Sequence, residues 1–363
     1  MKYDRVWNFN PGPAAVPLEV LEQVHESWFN LNRSGMNVME MSHRSKEYEA
    51  IHNRTKELIR QLLGFGDNYH VLFLQGGASL QFAMAPMNFL PAGKSADYIN
   101  SGSWASKAIK EAKLFGSVNL AFDGKPIGYN RLPAQDELKL TAGAAYVHIT
   151  SNETIGGIQF HAFPDTGGVP MVCDMSSDIL SRRFDTKPFG LIYAGAQKNL
   201  GPSGVTLVVI RDDFLKGARE GLTTMLAYKT YVDENSLYNT PNTFGIFFMC
   251  KVLEWVVGMG GMAEMERRNR EKAETLYRFI DGSGGYYRGT VEAGSRSWMN
   301  ACLRMPNEEL EAKFIAEAKA AGFIGLKGHR SVGGIRVSMY NAVPIEAIND
   351  LIGFMKNFQA GNG

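Results

Sequence analysis

Residues 192–210 read "IYAGAQKNLGPSGVTLVVI", two apolar runs that hold one lysine, Lys198, in a link of small and polar residues. The link is seven residues, Gln197 to Ser203, and runs into "GPSG" (201–204). It is too short for a crossover helix, so the two runs are expected to be tightly joined strands and not the halves of a βαβ unit. Upstream, from about residue 70, further β-rich runs ("HVLFLQ", "SADYINSG", "AYVHIT" and "VPMVCDM") alternate with amphipathic segments. That alternation predicts an α/β domain with a mostly parallel sheet flanked by helices. Lys198 then falls at a strand end, where ligands collect in such folds.

Downstream, "FGIFFMCKVLEWVVGMGG" is interrupted by Lys251 and Glu254 and is shorter than the roughly 20 apolar residues of a membrane span, so it predicts a buried helix. After the glycines of 258–261 comes a charged helix, "MAEMERRNREKAETLYRFID", which marks a boundary. The strand-like "SWMNACLRM" and "GIRVSMYN", the helix "EELEAKFIAEAKAAG" and a last helix from about Pro344 predict a smaller α+β domain.

Composition narrows the function. The 363 residues exceed one core of ordinary size, and Lys plus Arg (38) balances Asp plus Glu (37), so no polyanion-binding field covers the surface and nucleic acid is not an expected partner. Cys173, Cys250 and Cys302 form no CxxC pair and no zinc-ligand spacing with histidine, which argues against a disulfide framework or a structural metal; all three are expected to be buried. The start, "MKYDRVWNFNPGPAAVP", lacks the apolar stretch of a signal peptide, so the expectation is a cytoplasmic protein with no membrane partner.

A lysine alone in a turn reads as a solvated residue. Its neighbours in the predicted sheet point elsewhere. A buried lysine amine is neutral and nucleophilic and can form a Schiff base with a carbonyl. Asp174 ends "VPMVC" at the same predicted edge, where it either caps the "SSDIL" turn or holds a protonated pyridine nitrogen. "LQGGASLQFAM" (74–84) is a strand, two glycines and a helix start, a place for phosphate with Ser79 adding a hydroxyl; it is neither a Walker loop nor GxGxxG, and Pro86 is expected to end or kink the helix. Trp104 in "SGSWASKAIKEA" can stack on a flat ring, and Asn152 and Thr154 in "ITSNETIGG" offer polar groups. His43 and Arg44, with Lys327, His329, Arg330 and Arg336, form a cationic set suited to a substrate with two anionic ends, and the β-like alternation of "GGIRVSMYN" points Arg336 inward.

Taken in order, "NFNPGPA", "MEMSHRSKEYE", "GGASLQFAMAPMN", "ADYINSGSWASKAIKEAK", "NETIGG", "CDMSSDILSR", "IYAGAQKNLGPSG", "LYNTPNTF" and "LKGHRSVGGIRVSMYNA" resemble the phosphoserine aminotransferase family, in the class V branch of the fold-type I enzymes dependent on pyridoxal 5'-phosphate (PLP). The matching stretches cover nearly the whole chain. The resemblance implies a large PLP-binding domain over residues 16–260 and a small domain from 1–15 and 261–363. It implies that Lys198 is the Schiff-base lysine, Asp174 the partner of the ring nitrogen, Trp104 the stacking ring and Thr154 a contact to the ring oxygen. Ala78, Ser79 and Gln197 would hold the cofactor phosphate, completed by Asn239 and Thr240 from the neighbouring subunit of a homodimer with shared sites. Arg336 would grip the substrate α-carboxylate, and His43, Arg44, His329 and Arg330 the distal phosphate or γ-carboxylate. Where some members carry an arginine in the glycine loop this chain has Ser79, so its phosphate cup leans on backbone N–H groups and the hydroxyl. The implied reaction is ping-pong transamination between glutamate and 3-phosphohydroxypyruvate in serine biosynthesis, with the 4-phosphohydroxythreonine reaction of vitamin B6 synthesis as a related one.

Three other readings make different demands. A cysteine desulfurase of the same fold needs a mobile loop cysteine, and these three cysteines sit in or beside apolar runs. A non-enzymatic binder of a phosphorylated metabolite predicts no covalent adduct at Lys198. A Schiff-base aldolase needs the lysine but neither the phosphate cup nor Asp174.

Overall fold

The computed structural model describes residues 2–363. Strand β1 (Trp7–Asn8) is followed by α1 (Leu18–Glu26) and α2 (Lys46–Leu63). Ser45 starts α2 by accepting the Tyr48 N–H, and Gly64 ends it in the left-handed conformation. Tyr48, His52, Thr55, Leu58, Ile59 and Leu63 recur at helical spacing on its buried face.

A seven-stranded sheet then forms from β2 (Tyr69–Leu74), β3 (Ser95–Asn100), β4 (Ser117–Asp123), β5 (Val147–Thr150), β8 (Met171–Asp174), β9 (Phe189–Gly195) and β10 (Thr206–Arg211), with a two-stranded ribbon, β6 (Asn152–Glu153) and β7 (Ile158–Gln159), between β5 and β8. The order is β2-β10-β9-β8-β5-β3-β4, and β10 alone runs antiparallel to its neighbours. The mostly parallel α/β expectation holds, and so does the tight β9–β10 link. That link is longer than read from sequence, because β9 ends at Gly195 and β10 starts at Thr206; the Ala196 N–H to Val205 C=O bond (3.0 Å) carries the pairing one step further.

β5, β8 and β9 are buried along their whole length, as strands covered on both faces must be. Side chains alternate between two cores. Val147, Ile149, Cys173, Ile192 and Val209 face one core, and Tyr98, Tyr146, Val172, Leu191, Tyr193 and Val208 the other. The second face is covered by α3 (Gly77–Phe89) and α4 (Ser103–Ala112). Pro86 does not end α3, which runs on to Phe89: proline removes only its own N–H bond, and the Leu90 N–H still reaches the Pro86 C=O.

Beyond the sheet, short helices α5 (Asp212–Leu215) and α6 (Tyr228–Asp233) lead to α7 (Thr243–Gly258), the expected buried helix, and to α8 (Gly261–Asp281). No single helix among the described residues is long and apolar enough to cross a membrane. α8 carries Met262 and Met265 into the first core and Ala273, Leu276 and Ile280 into another, built with Phe9, β11 (Arg288–Gly289), β12 (Asn300–Arg304), α9 (Glu308–Ala320), β13 (Phe323–Ile324), β14 (Ile335–Ser338) and α10 (Ile345–Asn362). β1 pairs in parallel with β13, Trp7 opposite Phe323, which ties the N-terminal segment to this core.

Lys272 of α8 is buried with its amine on the carbonyls of Met339, Tyr340 and Val343 (2.9, 2.8 and 2.9 Å), a full set of acceptors for its three protons. Asn341 continues the tie: its N–H bonds Asn199 Oδ1 at 3.0 Å and its side chain bonds the Leu180 carbonyl at 2.8 Å. The chain leaving β14 is thereby fixed to the residue after Lys198. Cys173 and Cys250 are buried as expected, whereas Cys302 is only half-buried, because β12 faces a 220 Å³ cavity lined also by Tyr129, Arg304 and Ile335.

Candidate active site

The parallel strands end along one edge of the sheet, at Leu74, Asn100, Thr150, Asp174 and Gly195, and Lys198 lies just past the last of these. Lys198 is half-buried, and its amine donates to Thr154 Oγ1 at 2.7 Å. Burial pushes its pKa down to about 8; Asp174 opposes the shift and Arg336 adds to it. The N-terminal segment covers the lysine stem. Gly12, at φ +138°, has no Cβ, and one placed there would sit 3.4 Å from Lys198 Cγ and Cε. Ala14 N–H to the Gln197 carbonyl (2.9 Å) and Tyr340 O–H to the Pro11 carbonyl (2.8 Å) hold the segment down.

Asp174 is buried at the end of β8, and its Oδ1 accepts the Ser176 N–H at 2.9 Å. The turn-capping role is therefore real and coexists with a position one strand from the lysine. Burial raises its pKa, opposed by bonds from Ser176 and by the Lys198 charge.

At the end of β2, Gly76 adopts the left-handed conformation and α3 begins with no side-chain cap, so the first-turn N–H groups of Gly77, Ala78 and Ser79 have no helical acceptor. A helix start of this kind suits a phosphate. Trp104 stands half-buried in the first turn of α4; its ring packs 6.5 Å from Phe82 and its centroid lies 6.0 Å from the Lys198 amine. Its Nε1 is buried without an acceptor.

Arg336, inward on β14 as read from the sequence, donates from Nη1 to the Thr154 carbonyl (3.2 Å), and its buried Nε has no acceptor. A buried guanidinium with an open donor is prepared for an anion. His329 accepts the Ser331 N–H at 3.2 Å, and burial together with Arg336, Arg330 and Lys107 lowers its pKa. Arg330 and Lys327 are exposed.

The structure thus gathers Lys198, Thr154, Asp174, Trp104, Arg336, His329 and Arg330, with Gln197 beside the lysine. Ala78 and Ser79 stand at the end of β2 on the same sheet edge, whereas His43, Arg44, Asn239 and Thr240 lie outside this cluster. Arg44 is exposed and His43 half-buried in the turn before α2, and no hydrogen bond or ion pair among the described residues links them to Lys198, Arg336 or His329. Asn239 and Thr240 lie by the end of β2, where the Thr240 carbonyl is 3.5 Å from Gln75 Nε2.

Three residues were missed. Lys107 places its amine 4.0 Å over the Trp104 ring; its position three residues on, along the same helix face, was a usable signal. Glu153 and Gly12 lie inside quoted motifs, and nothing in one sequence marks a lone carboxylate such as that of Glu153, on the short strand β6, as buried.

The profile of the family described as Aminotransferase class-V matches residues 6–351. The chain belongs to the class V aminotransferase family. Within it, a phosphoserine aminotransferase of Niallia circulans is 54% identical over 359 residues, 99% of each chain, and one of Geobacillus kaustophilus is 55% identical over 98% of each. The solved structure of a phosphoserine aminotransferase from Bacillus circulans subsp. alkalophilus superposes with a TM-score of 0.97 at 54% identity, covering 99% of this chain and 100% of that one. A PLP-bound phosphoserine aminotransferase from Trichomonas vaginalis gives 0.92 at 39% identity, covering 97% and 100%. The fold-type I architecture is that of the family.

Proposed function

We propose that the chain is a transaminase that moves an amino group reversibly between glutamate and 3-phosphohydroxypyruvate, giving 2-oxoglutarate and O-phospho-L-serine, with PLP as its cofactor. The observation that carries this reading is the Lys198 amine, lowered to about 8 and set between Thr154 Oγ1 and the Trp104 ring at the edge where Asp174 ends its strand. The residues fit PLP. An uncapped helix start for a phosphate, an indole with an open N–H, a buried carboxylate for the ring nitrogen and a nucleophilic amine lie along one sheet edge.

When bound, PLP supplies an electron sink for the bonding pair left at the substrate Cα. Lys198 would take the proton from the substrate Cα and deliver it to the carbon that was the cofactor's aldehyde, a task that needs an amine titrating near working pH. Asp174 holds a proton at the ring nitrogen, and Trp104 keeps the ring flat against the site. Ala78, Ser79 and Gln197 hold the phosphate, the first two from the open turn of α3. Arg336 orients the substrate by its α-carboxylate, while His329 and Arg330 meet the distal phosphate or carboxylate. A single cationic group serves both substrates because they occupy the site in turn.

A second copy of the chain completes this site, supplying Asn239 and Thr240 to the phosphate and His43 and Arg44 to the distal anion. Two observations support that reading. None of these residues bonds to the Lys198 cluster within one chain, and the segments that carry them expose large apolar side chains: Phe29 (84%) and Met39 (53%) before His43, and Tyr238 (47%) beside Asn239. The division into residues 16–260 and 1–15 with 261–363 is supported by the separate core around Phe9, Leu276, Leu303 and Leu351.

The test is borohydride reduction of the protein incubated with PLP, then peptide mapping, alongside an assay of 2-oxoglutarate formation from glutamate and 3-phosphohydroxypyruvate. A pyridoxyl group on the Lys198 peptide and coupled turnover are expected. Adducts scattered over surface lysines with no turnover would overturn the reading.

A further inference from the structure

Glu153 is fully buried beside the lysine cluster, and a buried carboxylate needs a reason. Its Oε2 accepts the Trp104 N–H at 3.0 Å and its Oε1 the Ala105 N–H at 2.8 Å, so both oxygens close onto the first turn of α4. A charge there is favoured by the helix N-terminus and by the two charge-assisted bonds. Gly102 makes room for it, since a Cβ at that position would lie 2.5 Å from Glu153 Cδ. The next residue is Thr154, which takes the Lys198 amine on its hydroxyl and Arg336 on its carbonyl. Burial pushes the Glu153 carboxyl up to about 7, with the two backbone bonds and Lys198 opposing and Asp174 adding to the rise.

We propose that Glu153 is a positioning residue for the cofactor: by clamping the backbone of Trp104 from the strand end that also presents Thr154, it sets the indole against the ring over Lys198. The proposal rests on the reading that this cleft holds PLP against Trp104. The indole N–H of Trp104 has no acceptor, and its ring is held by packing on Phe82 and by the Lys107 amine 4.0 Å over its face, neither of which fixes the backbone of the first turn. Without the clamp the first turn of α4 is free to shift, and the indole shifts with it.

Glu153→Gln keeps the shape but turns one acceptor into an N–H facing an N–H. In equilibrium dialysis of the full-length enzyme against graded PLP, Glu153→Gln should raise the dissociation constant about tenfold, the loss of roughly one charge-assisted bond. In a Trp104→Ala background, which leaves no ring for the clamp to place, it should raise it less than threefold. The KM for glutamate should stay within twofold of the parent's. A purely structural cap would lower thermal stability and leave the dissociation constant alone, which overturns the proposal; so does a tenfold rise that persists unchanged with Trp104→Ala. If Glu153→Gln fails to fold, Glu153→Asp, which keeps the charge but cannot reach both N–H groups, is measured in the same cycle against the same criteria. Absence of saturable PLP binding by the parent enzyme would overturn the underlying reading of the cleft, an outcome distinct from normal binding by parent and variant alike.

Discussion

The amine of Lys198 and the hydroxyl of Thr154 are 2.7 Å apart, the lysine donating. Thr154 also receives Arg336 on its backbone carbonyl, so the proposed base and the proposed substrate anchor share one residue. Thr154→Val removes the hydroxyl and leaves the carbonyl. We predict a fall in kcat of about tenfold, the worth of one hydrogen bond to a charged or nucleophilic group, with KM for glutamate changed little. Steady-state kinetics on both parameters checks it; a rise in KM with kcat intact would place the hydroxyl on substrate.

The pH dependence of Lys198 follows from its pKa of about 8. Only the neutral amine attacks an aldehyde, so capture of PLP by cofactor-free protein should speed up as pH rises through 8 and then level off. Asp174 raises this pKa and Arg336 lowers it. Asp174→Ala should therefore move the inflection down and Arg336→Gln should move it up. Stopped-flow absorbance gives the profile directly, and shifts of the opposite sign would contradict the assigned electrostatics.

Lys198→Ala should keep its fold and assembly and lose transamination by at least about a thousandfold, since on the proposed reading the variant lacks the base that serves the Cα. Mixed with an equally inactive Arg44→Ala, after subunit exchange, it should regain activity. One site of each mixed dimer would draw its lysine and its arginine from intact copies. Mixing without recovery would mean that Arg44 serves its own chain's site or none.

Arg336→Lys keeps charge and loses the planar fork. The expected result is a KM for glutamate raised by about ten- to a hundredfold, the range for losing a bidentate bond to a carboxylate, with PLP retained. Glutamate saturation curves on the reconstituted variant decide it.

The sheet was legible because its central strands are buried on both faces and so read as unbroken apolar runs, as in "VPMVCDM" and "GLIYAGA". β4 is not legible for the same reason reversed: unlike β2 at the other edge it is half exposed, and "SVNLAFD" mixes polar and apolar residues. Asp174, Lys198 and Arg336 could be placed because each borders such a run. Glu153 and Lys272 could not, since a charged residue reads as solvated until the groups that bury it are known. For Glu153 those are backbone N–H groups about fifty residues away, and for Lys272 three carbonyls about seventy away. Asn239 and Thr240 entered only through resemblance, whereas His43 and Arg44 were also legible as members of a cationic set; a single chain leaves all four away from the lysine.

Gly12 rests on the stem of Lys198, and the strand that holds it in place, β1, pairs with β13 about three hundred residues further along. On the ribosome the first of these segments emerges long before the second, and the contact between them is of the slow, long-range kind. The pairing that helps hold Gly12 against the lysine stem therefore cannot form until residues 323–324 have been made, so the cover on Lys198 is among the last long-range contacts the chain can complete.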